Sequence, residues 1–298
     1  MPAIQANGIM IEYEDHGDKA APPILLIMGL GAQLTLWPIE LVDALVAHGF
    51  RVIRYDNRDI GLSTKFDGAG VPNIRTLALK SLFGIKPRVP YTLDDMADDA
   101  AQLLDGLGID KAHIVGASMG GMIAQLFAVN HAERTLSLTS IMSTTGNRRL
   151  PAASREAMAV LTKRPQTADA ETMIEFGMNA ARTIGSPAYP ADPTLLRERV
   201  TSNFERSYSP AGVARQMAAI IANGDRRARL SSITAPTLVI HGDGDPLVPL
   251  PGGKDTAANI KGAELLVVPG MGHDLPQQLV KTIADAIAGV TARTAVVA

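Results

Sequence analysis

The stretch His113-Ile114-Val115-Gly116-Ala117-Ser118-Met119-Gly120-Gly121 decides the fold. His113–Val115 is a short apolar run that reads as a strand. Met119–Val129 is apolar almost all round, which predicts a central helix buried on most sides. Between them Gly116–Gly120 matches G-x-S-x-G, so strand, sharp turn and helix follow one another within a few residues. Such a reversal forces Ser118 into a strained backbone conformation. Side chains at 116 and 120 would collide with neighbouring chain, so both positions need glycine. Ser118 Oγ is thereby presented at the C-terminal edge of a sheet, where α/β sheets hold ligands. The positive end of the following helix points at the same place.

Outward from this stretch, short apolar runs alternate with amphipathic ones, an α/β pattern. Ile9–Glu14 alternates with period two and predicts an antiparallel edge-type strand. Ile24–Met28, Arg51–Tyr55, Leu136–Met142, Thr237–Ile240 and Glu264–Val268 are further strands, continuous enough to be covered on both faces. Thr92 followed by Asp95 resembles a capping box, with Met96, Ala100, Leu103, Leu104 and Leu107 on one face behind it. Leu279, Ile283 and Ile287 predict a last helix ended by Gly289.

From about Gly146 to Arg229 no strand pattern is found. Helical patterns fill the region at Ser154–Thr162, Ala170–Arg182, Pro193–Phe204 and Ala211–Asn223, punctuated by prolines that include Pro165. The expected division is an α/β core of residues 1–145 and 230–298, with residues 146–229 as a helical cap over one end of the sheet.

Composition narrows the chemistry. The chain has 298 residues, 46% of them hydrophobic and 19% charged, enough to build a large core. Its net charge of −2 carries no electrostatic footprint for nucleic acid. With no cysteine, disulfides, thiolate metal sites and a thiol nucleophile are all excluded. The opening residues lack a basic region followed by an apolar one, and Ile24–Leu30 is far shorter than the roughly 20 residues of a membrane helix. No integral membrane segment is expected, and the expected location is cytoplasmic.

A serine needs a base to become a nucleophile. Of six histidines, His113 reads as core, and His16, His48 and His131 read as surface. His241 sits on a strand end, where packing or hydrogen bonding is its expected role. His273 follows Pro269-Gly270-Met271-Gly272, a glycine-flanked loop after a strand that can reach across to Ser118. The acid that orients it is expected on His241-Gly242-Asp243-Gly244-Asp245-Pro246. Asp245 lies further out and is favoured, with Asp243 shaping the turn through backbone amides.

The segments LLIMGLG (25–31), YDNRDIGLST (55–64), HIVGASMGG (113–121), PTLVIHGDGDPLVP (236–249) and PGMGH (269–273) together resemble the α/β-hydrolase superfamily. The likeness is strongest to carboxylesterases of the aclacinomycin methylesterase type. It covers nearly the whole core and is weak over the cap. It implies an α/β-hydrolase fold: a mostly parallel eight-stranded sheet flanked by helices. It also implies Ser118 as nucleophile, His273 as base and Asp245 as acid, in the chain order Ser–Asp–His. The oxyanion hole would use the backbone amides of Leu30 and Met119. The sequence departs from many relatives in having Met28-Gly29 where they have His-Gly, which bears on how that loop is braced. Tyr55–Asp59 reads as a salt-bridged structural brace.

The expected reaction is hydrolysis of small-to-medium hydrophobic esters through an acyl-enzyme, with no cofactor and no metal. Candidate pocket residues are Met28, Gly29, Trp37, Met173, Phe176 and Tyr208. Competing readings on the same fold are lactonase, C–C bond hydrolase and cofactor-free perhydrolase. From another class come a non-catalytic receptor for a small molecule and a protein–protein scaffold. Gly68–Tyr91 also stands out: it holds Arg75, Lys80, Lys86 and Arg88, no acidic residue, and interleaved apolar side chains. It reads as a solvated flap packed on the cap, a mobile lid, or an interface with lipid or a partner.

Overall fold

A computed structural model describes residues 2–85, 87–162 and 169–293. Lys86 and Pro165 lie outside the described residues. The strands are β1 (Ala3–Ala6), β2 (Ile9–His16), β3 (Pro23–Ile27), β4 (Arg51–Tyr55), β5 (Ala112–Ala117), β6 (Thr135–Ile141), β7 (Thr237–Gly242) and β8 (Glu264–Val268). The first four helices are α1 (Ile39–Ala47), α2 (Ile74–Leu82), α3 (Leu93–Gly106) and α4 (Met119–Asn130). Between β6 and β7 come α5 (Arg155–Thr162), α6 (Ala170–Ile184), α7 (Pro193–Arg206), α8 (Pro210–Asn223) and α9 (Arg227–Leu230), and no strand among the described residues. The chain finishes with α10 (Pro251–Ala258) and α11 (Val280–Thr291) around β8.

The sheet has eight strands in the order β1-β2-β4-β3-β5-β6-β7-β8. β1 and β2 run antiparallel, and every pairing from β4 to β8 is parallel. β3 lies between β4 and β5, so the chain leaves β3 in one direction and returns on its other side. The strand order therefore reverses there. Loops after β3 and β5 diverge at such a point, leaving a crevice at the carboxyl ends of the strands. Both loops carry residues singled out above: Leu30 follows β3, and Ser118 follows β5.

Alternation along β3 builds two apolar layers. Ile24 and Leu26 face one layer with Val52, Val115, Leu41, Leu45 and Ile283. Leu25 and Ile27 face the other with Ile53, Ile114, Leu103 and Ile123. All four β3 side chains are fully buried. Burying one such side chain stabilises by roughly 1.5–3 kcal/mol, so a central strand covered on both faces anchors the sheet. At the start of α3 the Thr92 hydroxyl accepts the Asp95 amide, and the Asp95 carboxylate accepts the Thr92 amide, a complete capping box.

Most boundaries shift by one or two residues, and two differences from the sequence expectation have a clear physical cause. β1 was not anticipated, because four residues with one buried side chain carry no usable periodicity; pairing with β2 creates it. α11 continues through Gly289 to Thr291, since the helix's buried face extends to Val290 and Thr291 and outweighs glycine's weak propensity.

His113 is buried in β5, with its ring edge-on to Phe50 at 5.8 Å and its Nδ1 2.8 Å from Ser137 Oγ. Burial pushes its pKa down from 6.5 to about 4. The unfolded chain therefore binds the proton between these values while the folded one does not. Stability from this site is complete above about pH 6.5 and falls as pH drops toward about 4, by roughly 3 kcal/mol in all. Urea titrations across this window should show that loss, and His113→Asn should flatten it; an unchanged profile in the variant would remove His113 as its source.

Candidate active site

Ser118 sits at φ 57° and ψ −120°, the only elbow residue forced into positive φ. Its amide donates to Ile141 O at 2.9 Å, and its carbonyl accepts Ser143 Oγ at 2.8 Å, so the strained peptide is held from both sides. The flanking glycines have no room for side chains. A Cβ at 116 would stand 2.1 Å from Gly120 O, and one at 120 would stand 1.9 Å from Ile27 O. At 121 it would meet Ser143 Cβ at 2.6 Å. The turn can thus press the start of α4 against the end of β3.

His273 reaches this point from the loop after β8. Its Nε2 lies 2.9 Å from Ser118 Oγ, and its Nδ1 lies 2.7 Å from Asp245 Oδ2. The other Asp245 oxygen accepts the amides of Leu247 and Val248, each at 2.8 Å. A carboxylate accepting all three bonds fixes the ring with its proton on Nδ1 and its lone pair toward Ser118. His273 and Asp245 are both buried. Asp243 instead accepts the Gly270 amide at 2.6 Å, tying the two loops together. Shaping of the 243–248 turn, expected of Asp243, is done by Asp245. His241 is fully buried, with Nε2 2.7 Å from Val248 O and 3.7 Å from Asp245 Oδ2. Burial lowers its pKa, so it stays neutral beside the acid.

The loop after β3 brings Gly29 against Ser118, where a Cβ would lie 3.5 Å from Oγ. Among the described residues, no protein acceptor takes the amides of Leu30 or Met119. Their neighbour Gly31 donates to Gln216 Oε1 at 2.9 Å. The loop is braced from the Tyr55–Asp59 segment. Asp56, fully buried, accepts the Leu34 amide at 2.7 Å and the Leu62 amide at 2.8 Å, and Asn57 Nδ2 donates to Met28 O at 2.9 Å. This brace holds Met28 through its backbone carbonyl.

Residues far along the chain complete the brace, and sequence reasoning missed them. Arg206 of α7 pairs with Asp56 at 2.8 Å and donates to Gln33 Oε1 at 2.6 Å. Arg215 of α8 grips Asp59 with two bonds of 2.8 and 2.7 Å. Burial would raise the Asp59 pKa, but the Arg215 bonds hold it below the usual carboxylate range. Gln216 links Gly31 to Arg58 O. At the end of α6, Ile184 O accepts the His273 amide at 2.7 Å, and Ser186 Oγ donates to Asp274. The signal available was slight: Arg215 and Gln216 are polar residues on the buried face of an otherwise apolar helix.

Of the remaining pocket candidates, Met28 and Trp37 pack in the core cluster with Leu26 and Leu41. Trp37 is fully buried there. Tyr208 and Met173 do meet, with the tyrosine hydroxyl 3.8 Å from the thioether sulfur. Phe176, one turn on from Met173 in α6, is half-buried. Tyr208 also lines a cavity of about 150 Å³ with Gly31, Ile60 and Val213.

Comparison with known proteins identifies the family to which this fold belongs. Residues 22–276 fit the family described as alpha/beta hydrolase fold. The chain belongs to this family. It is 31% identical to rhodomycin D methylesterase DnrP of Streptomyces peucetius, over 97% of both chains. It is 30% identical to the putative carbamate hydrolase RutD of Variovorax paradoxus over 88% of this chain and 89% of that one. Among solved structures, the meta-cleavage product hydrolase CumD of Pseudomonas fluorescens IP01 superposes with a TM-score of 0.75 at 23% identity, covering 98% of each chain. That likeness speaks for the alpha/beta hydrolase fold alone.

In this hydrolase the elbow's strain is separable from its side chain. Ser118→Gly should be more stable than Ser118→Ala by about 1 kcal/mol, because only glycine relieves the positive φ. Gly120→Ala should cost about 3 kcal/mol, since its Cβ meets the fixed Ile27 carbonyl. Urea unfolding checks both; equal stability of the two Ser118 variants would show an unstrained turn.

Proposed function

We propose that this protein is a serine carboxylic-ester hydrolase. The observation that carries the proposal is the unbroken hydrogen-bonded line from Asp245 through His273 to Ser118, beside two amides with no protein acceptor among the described residues. Ser118 Oγ attacks the ester carbonyl carbon while His273 Nε2 takes its proton. The carbonyl oxygen becomes an oxyanion held by the Leu30 and Met119 amides, each donor contributing roughly 3–4 kcal/mol to the transition state. Asp245 stabilises the imidazolium. His273 then gives the proton to the departing alkoxide, leaving an acyl group on Ser118. Water, deprotonated by the same nitrogen, attacks that acyl carbon, and the carboxylic acid leaves as Ser118 regains its proton.

Helices α6–α8 act as a cap in this reading, lying against the loops that carry Gly31 and His273. The substrate proposed is a hydrophobic ester with a methyl or other short group. The cavity of about 150 Å³ lined by Gly31, Ile60, Tyr208 and Val213 borders the loop after β3 without reaching Ser118 or His273, so it does not set the size of that group. The full-length likeness to a protein named as a methylesterase supports the choice.

Hydrolysis of p-nitrophenyl butyrate and of a panel of methyl esters, lactones and diketones tests this reading. Esters should be turned over fastest. Ser118→Ala should lower kcat by about 10⁴-fold or more with little change in melting temperature. Asp245→Asn should lower it by about 10³–10⁴-fold, and Asp243→Asn by far less. Substantial activity in Ser118→Ala would defeat the mechanism, and preference for lactones or diketones would move the substrate class.

A further inference from the structure

The segment Gly68–Tyr91 is outside the site, and its structure is unusual for a water-facing element. α2 turns Leu77 and Ser81 inward, where the segment is fastened to the rest of the molecule. Arg148 donates to Ser81 O at 2.5 Å and to Ser81 Oγ. The outward side should then be polar. Instead it carries Leu79 and Leu82, continued by Phe83 and Ile85 in the turn that follows. Phe83 is 76% exposed and Leu82 72% exposed. Of the eleven large hydrophobic side chains exposed among the described residues, five lie within 71–85, so exposure is concentrated here and not scattered.

Two cations of α2 lie toward the same side, and a third follows the helix in the chain. Arg75, Leu79 and Leu82 follow a helical stripe, and Lys80 and Phe83 lie on the adjacent one. Arg75, Lys80 and Arg88 are all exposed. No acidic residue occurs between Gly68 and Tyr91, although the whole chain carries a net charge of −2. α8, against which α2 packs, carries no acidic residue either. A merely solvated flap would not hold this many apolar side chains in water.

We propose that the outward face of α2 and the Phe83–Ile85 turn dock reversibly on an anionic lipid bilayer. Leucine and phenylalanine side chains enter the boundary between headgroups and acyl chains, while Arg75, Lys80 and Arg88 meet lipid phosphates. Their aliphatic stems let both happen on one face. The charge pattern favours lipid over a second copy of this chain. A two-fold contact through this patch would set its cations against themselves with no carboxylate between them. The contact is peripheral: no helix among the described residues is long and apolar enough to cross a membrane. It also stands independently of the reaction at Ser118.

Co-sedimentation of the full chain with vesicles tests this. Vesicles of phosphatidylcholine with about one quarter phosphatidylglycerol should bind the protein, and pure phosphatidylcholine should bind it far less. Binding should weaken as salt rises from about 0.05 M to about 0.5 M. Leu82→Ser with Phe83→Ser should abolish it, and Lys80→Glu with Arg88→Glu should weaken it by about 25-fold or more. Both double variants should keep the wild-type melting temperature and the wild-type rate on a soluble ester. Absence of wild-type binding to anionic vesicles would overturn the proposal, as would variants that bind undiminished. So would a wild-type dimer that Leu82→Ser with Phe83→Ser converts to monomer without any vesicle binding.

Discussion

The first turn of α4 lies against the carbonyl end of β3 at a separation that excludes even one methyl group. A Cβ at Gly120 would stand 1.9 Å from Ile27 O, and one at Gly116 would stand 2.1 Å from Gly120 O. Much follows from this approach. It places the Met119 amide beside the loop that carries Leu30, and it holds Ser118 between two diverging loops. The cost is the positive φ at Ser118, of order 1–3 kcal/mol. Burial of Met122, Ile123, Leu126 and Phe127 along α4 offsets it several times over.

Around this contact the protein uses buried charge as a scaffold. Asp56 and Asp59 have no exposed surface, and isolated carboxylates there would be expensive. Asp56 accepts two backbone amides and Asp59 one, and each also pairs with an arginine from the inserted helices. Apolar substitutes could fill the same volume at comparable stability, but they could not fix the direction of a backbone amide. Directional bonds to Leu34, Leu62 and Phe66 do so. The inserted helices are therefore not an independent layer laid over the sheet; Arg206, Arg215 and Gln216 extend the polar framework of the loop after β3.

Legibility in the sequence followed the range of the physics. G-x-S-x-G was readable because its constraint is local: both glycines are demanded by atoms within a few residues or in the adjacent strand. Alternating and continuous apolar runs revealed β2 through β8, whereas β1 exists only through its partner. His273 and Asp245 could be singled out because loops after strands must supply such groups, and the structure brings them to Ser118. The bracing role of Arg206 and Gln216 could not be read. Both join residues some 150–185 positions away, and nothing beside them in the chain marks them. Trp37 shows the opposite difficulty: its place after the Leu30 loop suited a pocket wall and core packing equally, and the side chain packs inward under α1.

The reach of these contacts sets an order of events during synthesis. The loop after β3 and the elbow are made early, within the first 121 residues. Gly31 nevertheless has its acceptor at Gln216, Asp59 its cation at Arg215, and Ser118 its imidazole at His273. A ribosome-bound chain that has released only the first half therefore carries buried-carboxylate positions without their arginines and a serine without its neighbouring imidazole. The brace from Arg206, Arg215 and Gln216 becomes available first, and the site closes only when the last strand has joined the sheet and carried the His273 loop into place.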